Sequence, residues 1–144
     1  MQDTNATRRM NDLKDYLLKL AEANYVEYEL CFERPDFVSR AVPEDDLIII
    51  NTNWKRPFEV PFIIGHETGH IVHGDKITKC ESPTAHFPCE LEADKYSFNL
   101  IFDYNLIQDE IICEPEDFLQ QYGIPDRLFP YALEVFKNNR NKLF

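Results

Sequence analysis

The chain has 144 residues, of which 44% are hydrophobic and 13% aromatic, so we predict one folded domain over residues 1–144 and exclude a largely disordered chain. Twenty-six acidic residues against fifteen basic ones give a formal net charge of −11. A field of that sign repels phosphate backbones and anionic lipid headgroups, which disfavours direct binding to nucleic acid or to a membrane surface.

The sequence has no feature of a membrane or secreted protein. No apolar stretch approaches the ~20 residues of a membrane-spanning helix, and residues 1–10 are polar with no apolar run behind them. The four cysteines are dispersed in a chain long enough to fold without disulfides, so we predict reduced thiols at Cys31, Cys80, Cys89 and Cys113. The spacing of Cys80 and Cys89 is too wide for a zinc knuckle. We therefore predict a cytoplasmic protein without a cysteine-based zinc site.

The first predicted elements are a helix and a small sheet. Over residues 11–24 apolar side chains recur at intervals of three and four, as in an amphipathic helix that packs on a core. Between residues 25 and 50, apolar segments alternate with turns that contain Pro35 and Pro43. This pattern predicts short antiparallel strands.

Helices dominate the predictions for the rest of the chain. A second helix is expected over residues 59–74, a loop over residues 75–88, and a third helix from about 88 or 89 to 102. Proline and glycine residues beyond it predict two or three short helices, the last over residues 128–137. The expected fold class is α+β, a compact domain with a small antiparallel sheet and a helical C-terminal part.

A motif for metal chemistry lies in the second predicted helix. His66, Glu67 and His70 form the pattern H-E-x-x-H, which on a helix projects both imidazoles from one face. Both rings can then bind one metal ion, while Glu67 on the flank can act as a general base. The alternative is that two structural core histidines happen to flank a glutamate.

A third metal ligand is available at the start of the third predicted helix. A catalytic zinc needs three protein ligands and an open fourth position, and Glu90 follows His70 by twenty residues. Asp94 lies one turn after Glu90 on the same face, where its carboxylate can accept a hydrogen bond from the far nitrogen of a ligating histidine. Glu92 points roughly 200° away from Glu90 and is predicted to face solvent or a basic partner.

Two other histidines have weaker assignments. His73 is three residues after His70, and a fourth protein ligand there would close the site, so we favour a helix-end or substrate-side histidine. His86 lies in the predicted loop, where it is a candidate third ligand or oxyanion donor. A solvated loop histidine is the favoured interpretation of His86.

These motifs resemble the gluzincin metallopeptidases and, in particular, the ImmA/IrrE family. The sequence His66-Glu67-Thr68-Gly69-His70 matches that family's H-E-x-G-H. The segment E-L-E-A-D-K-Y-S from Glu90 matches its E-x-E-A-(N or D)-x-(F or Y)-(A or S), although tyrosine and serine replace the commoner phenylalanine and alanine. The strand before Asn51 is also similar, and the resemblance covers about residues 10–105.

The resemblance implies a compact zincin-like fold and the activity of a zinc-dependent endopeptidase. Members of the family are often encoded on prophages or integrative elements beside a helix-turn-helix repressor that they cleave or disable. The resemblance also implies His66, His70 and Glu90 as zinc ligands, Glu67 as general base and Asp94 as the outer partner of a ligand. The expected partner is a basic helix-turn-helix repressor.

Two other functions are compatible with the sequence. A non-catalytic antirepressor would hold the repressor through its acidic surface and use zinc only as a structural element. A metallohydrolase acting on a small amide is a third possibility, although nothing in the sequence resembles a small-substrate pocket.

Overall fold

The computed structural model describes residues 4–74 and 86–144, and it has the predicted mixed α+β composition. Within these ranges the main elements are α1 (Thr4–Ala23), β1 (Glu27–Cys31), β2 (Arg40–Val42), β3 (Leu47–Asn51), α2 (Val60–Val72), α3 (His86–Leu106), α4 (Pro115–Tyr122), α5 (Phe129–Asn138) and α6 (Arg140–Leu143). Short 3-10 turns cover Pro43–Asp45, Pro57–Glu59 and Asp126–Leu128.

The sheet is mixed, so the prediction of an antiparallel sheet is wrong for one of its strands. The strand order is β1-β3-β2. β2 is antiparallel to β3, as predicted, but β1 runs parallel to β3, with Glu27 opposite Leu47 and Cys31 opposite Asn51. The chain places β2 at the far edge before β3 enters the centre. Side chains alternate in the same way in both kinds of pairing, so the pattern did not reveal the direction.

The core forms between the sheet and the first two helices. Ile48 and Ile50 of β3 are fully buried, and α1 contributes Leu13 and Leu17 to the same hydrophobic cluster. α1 begins at Thr4, seven residues before the predicted start. Residues 5–9 are exposed on every side, so they lack the apolar stripe on which the prediction depended.

The second and third helices confirm the predicted pair, with different bounds. α2 covers Val60–Val72, within two residues of the prediction, whereas α3 extends beyond both predicted ends. Residues 75–85 lie outside the described residues, so the predicted loop over 75–88 meets the structure only at residues 86–88. There the loop prediction is wrong, because Pro88 lies in the first turn of α3, where a helix does not need its missing N–H.

Three short helices complete the chain, as predicted, and aromatic packing attaches them to α3. Ring centroids within the cluster Phe98, Phe102, Phe118 and Phe136 lie 5.1–6.4 Å apart. α5 coincides with the helix predicted over residues 128–137 to within one residue, but the prediction that this helix is the last is wrong, because the short α6 follows it. The C-terminal part therefore rests on the same helix that carries Glu90 and Asp94.

The thiols agree with the predicted reduced state where they are described. Cys31, Cys89 and Cys113 are free, and Cys80 lies outside the described residues. Across residues 4–74 and 86–144, every helix is too short or too polar to cross a bilayer.

Candidate metal centre

α2 and α3 approach each other closely because glycines face the contact. A Cβ atom at Gly65 would collide with the Oγ of Ser97, and one at Gly69 would lie 3.2 Å from the Cα of Ala93. The Ser97 hydroxyl donates a 2.7 Å hydrogen bond to the carbonyl oxygen of Phe62, which fixes one helix against the other. This approach brings the side chains of the two motifs together.

The two histidines and Glu90 converge on one point. The Nε2 atom of His66 lies 2.8 Å from Oε2 of Glu90, and Nε2 of His70 lies 3.1 Å from Oε1 of the same carboxylate. The two Nε2 atoms are 3.2 Å apart. Nitrogen atoms from one helix and a carboxylate from the other thus lie within hydrogen-bond distance of one another.

This group fits a metal ion by both spacing and chemistry. All three ligand atoms lie within 4.8 Å of one another, and tetrahedral ligands at zinc–nitrogen distances of ~2.0–2.1 Å would lie about 3.3 Å apart. His66 and His70 are buried, whereas the Glu90 side chain is 39% exposed. Among the described residues the group consists of two imidazoles and one carboxylate, which is one ligand fewer than a tetrahedral ion needs, and the exposure of Glu90 shows that one side of the group reaches solvent.

Asp94 orients the ring of His66 and is itself held by an arginine. His66 Nδ1 donates a 2.8 Å hydrogen bond to Oδ1 of Asp94, which leaves Nε2 for a metal, as predicted for Asp94. Arg127 donates to both carboxylate oxygens of Asp94, through Nε and Nη2, at 2.9 Å each. Burial raises the pKa of Asp94, but these hydrogen bonds outweigh it and hold the pKa below its usual value.

The metal-free site carries a proton on His66. Burial lowers the pKa of His66, but the hydrogen bonds to Asp94 and Glu90 outweigh it and raise the pKa to about 9. The same contacts with His66 and His70 hold the pKa of Glu90 well below its usual range. Near neutral pH the metal-free site is thus a cationic imidazole between two carboxylates.

Metal binding is expected to expel this proton. A ligating imidazole must be neutral, so below pH 9 the metal competes with a proton at His66. The apparent affinity should rise between pH 7 and pH 9 by up to about tenfold per pH unit and then level off. Titration calorimetry in buffers of different ionisation enthalpy measures the release directly. A proton count near zero at pH 7 would contradict this charge state.

Glu67 lies beside the ligand group and outside it. Burial raises its pKa to about 7, partly opposed by the neighbouring histidines and by the backbone N–H of Ala41, which donates a hydrogen bond to the carboxylate. Ala41 belongs to β2, the edge strand of the sheet. A carboxylate whose pKa lies near neutral pH can accept and return a proton there.

The remaining predicted residues separate into confirmed and untested positions. Glu92 is exposed, as predicted. His73 forms the C-cap of α2, is exposed and stacks edge-on with Tyr96 at 5.5 Å, which agrees with a helix-end role. His86 begins α3, so its placement in a loop is wrong, and its side chain lies outside the described part.

Arg127 is the site residue that the sequence did not identify. It lies in the 3-10 turn Asp126–Leu128, thirty-three residues after Asp94, and no local pattern relates the two. A buried aspartate is usually paired with a positively charged group, so a basic partner for Asp94 could be expected. The sequence does not show which of the fifteen lysines and arginines it is. Arg127 reaches Asp94 because the C-terminal part packs on α3.

The Arg127→Ala substitution is expected to weaken metal binding by about 10–100-fold, because Asp94 would lose the two bonds that hold its carboxylate against His66. Arg127→Lys keeps the positive charge but loses the bidentate geometry, so its metal affinity should lie between those of Arg127→Ala and the wild type. Competition with a chromophoric chelator measures the affinity, with Arg140→Ala as an exposed control. Equal affinities in Arg127→Ala and the wild type would remove Arg127 from the site.

Comparisons of the chain with protein-family models, with curated proteins and with solved structures found no match.

Proposed function

We propose that this protein is a zinc-dependent endopeptidase. The observation that carries the proposal is the convergence of His66, His70 and Glu90 on one point, with the Glu67 carboxylate beside it. Three ligands with an open position are typical of catalytic zinc, whereas structural zinc sites are closed by a fourth protein ligand. The fold that we associate with this activity is the zincin fold, and the resemblance to the ImmA/IrrE family supports the same assignment.

The chain's own residues divide the work of hydrolysis. A zinc ion held by His66, His70 and Glu90 would supply a Lewis acid and lower the pKa of the attacking water. Glu67 accepts the proton of that water and passes it to the leaving amine. Asp94 and Arg127 keep the ring of His66 in the orientation and tautomer that a ligand needs.

The proposed substrate is a basic helix-turn-helix repressor of a prophage or mobile element, cleaved in the cytoplasm. The net charge of −11 supports this choice, because opposite charges raise the encounter rate with a DNA-binding protein at low salt. A peptidase of this kind would gain selectivity by docking its partner, because unselective proteolysis would damage the host cell.

The test is to incubate the zinc-loaded protein with a repressor encoded beside it and to determine the repressor's termini by mass spectrometry. We expect new termini at one or a few bonds, loss of cleavage with a chelator and recovery after zinc is restored. A repressor that is bound and inactivated but keeps its full length would favour the non-catalytic antirepressor. Full-length, unbound repressor would contradict both functions.

A further inference from the structure

A groove lies away from the metal ligands, where the C-terminal part meets the turn before α2. Its volume is about 740 Å³. The 3-10 turn Pro57–Glu59 forms one side, and α4 with the segment that follows it forms the other. None of the residues that bind the candidate metal lines this groove.

The groove is lined by both apolar and polar side chains, and the polar ones include Gln120. Phe58, whose residue surface is 56% exposed, stands on one side, and Phe129 lies on the other. Leu119 and Ile124 belong to the buried core and contribute to the lining between them. Gly123 lets the two sides meet: its φ is +66°, and a Cβ atom there would collide with the carbonyl oxygen of Phe58. At the bottom of the groove, the backbones of Gly123 and Phe58 are therefore in direct contact, and the side chain of Phe58 is exposed above them.

The charged groups of the lining are all acidic. They are Glu59, Glu116 and Asp126, and the lining contains no lysine or arginine. Glu59 is paired with Arg56, but Glu116 and Asp126 form no salt bridge with any residue of the described ranges. The N-terminus of α4 accounts for the position of Glu116. It does not account for the aromatic side chains that line the same groove as Glu116 and Asp126, two carboxylates without a salt bridge in the described part of the chain.

We propose that this groove docks a basic amphipathic segment of a partner protein. Apolar side chains of the segment would enter between Phe58 and Phe129, while lysine or arginine side chains would reach Glu116 and Asp126. A second copy of this chain is a poor occupant, because its net charge of −11 would oppose close approach. This docking proposal does not depend on the proposed hydrolysis. Only the identification of the docked partner as the substrate rests on the proposed function.

The groove is connected to the metal site through one short segment. Asp126 faces the groove, and the next residue, Arg127, holds Asp94 against His66. A docked partner would therefore contact the turn that positions a candidate ligand. This connection is a reason to measure metal affinity with and without the bound segment.

The test uses a fluorescent amphipathic helical peptide of about 15 residues, with leucines on one face and lysines on the other, at about 0.15 M salt to shorten the reach of the general field. The charge-reversal pair is Glu116→Lys with Asp126→Lys. Its matched control is Glu29→Lys with Asp103→Lys, which reverses two exposed carboxylates outside the lining and changes the net charge equally. Phe58→Ser is compared with Phe32→Ser, since Phe32 is 77% exposed and lies outside the groove.

We expect each groove variant to weaken peptide binding about tenfold or more, and each control to change it by less than about threefold. Equal losses in the two charge-reversed proteins would show a field effect without a docking site. Equal affinities in Phe58→Ser and Phe32→Ser would overturn the apolar part of the proposal.

Hydrogen exchange on the wild type makes the test independent of how well any variant folds. Added peptide should protect backbone amides within residues 57–59 and 115–129, and protection confined to other parts of the chain would overturn the proposal. Because these measurements record binding alone, their failure leaves the cleavage experiment unaffected, and the reverse also holds.

Discussion

On the proposed function, the Glu67→Gln protein is expected to bind one metal ion per chain with wild-type affinity and to hydrolyse a peptide substrate about 10²–10⁴-fold more slowly. Glutamine has the size of glutamate but accepts no proton at neutral pH, so the attacking water would lose its base. The Glu67 carboxylate is not one of the three converging ligands, which is why the metal should stay.

Glu67→Gln should remove proton transfer without moving the side chain, because a hydrogen bond from the edge strand holds that side chain. The backbone N–H of Ala41 donates to the carboxylate of Glu67, and the amide oxygen of glutamine can accept the same bond. The side chain should therefore remain in place, and lost activity would report lost proton transfer. Burial raises the pKa of Glu67 to about 7, and glutamine removes this titration from the pH profile.

The control for this prediction is Glu92→Gln, at an exposed position on α3. Turnover of a cleaved peptide and the metal content of each purified protein are the two measurements. Wild-type turnover by Glu67→Gln would contradict the general-base role, whereas loss of the metal would place Glu67 among the ligands.

The helical motifs were predictable because each depends on local geometry. Residues four apart share a helix face, so the spacing of His66 with His70, and of Glu90 with Asp94, placed each pair before any tertiary contact was known. Gly69 lies inside the first motif, and its lack of a side chain permits the contact that joins the two pairs. The candidate ligand group therefore follows from short sequence segments and one helix contact.

The features that the sequence did not reveal depend on contacts between distant segments. The direction of β1 is set by the path of the chain around β2, and side-chain alternation does not record that path. Arg127 reaches Asp94 only because aromatic residues attach the C-terminal helices to α3. No spacing rule connects a turn near residue 127 with a helix that begins at residue 86.

Glu90→Ala and Glu92→Ala are expected to separate sharply in metal affinity. The Glu90 carboxylate lies 2.8 Å and 3.1 Å from the Nε2 atoms of the two histidines, whereas Glu92 points away from them and is exposed. Removal of a ligand should cost more than the roughly 10–100-fold that loss of an outer partner costs. Glu92→Ala should stay within about twofold of the wild type, as exposed substitutions usually do.

The loss of metal affinity in Glu90→Ala should depend on pH. In the metal-free protein the Glu90 carboxylate helps to hold a proton on His66, whose pKa is about 9. Glu90→Ala removes that contact, so the pKa of His66 should fall and the metal should meet less competition from the proton. This gain offsets part of the lost ligand at pH 7, and the affinity ratio to wild type should therefore widen as the pH rises to about 9. If Glu90 acted only on the histidine and not on the metal, Glu90→Ala would bind the metal more tightly than the wild type at pH 7, and this gain would shrink as the pH rises to about 9. That result, or a larger loss in Glu92→Ala than in Glu90→Ala, would refute the assignment of the third ligand.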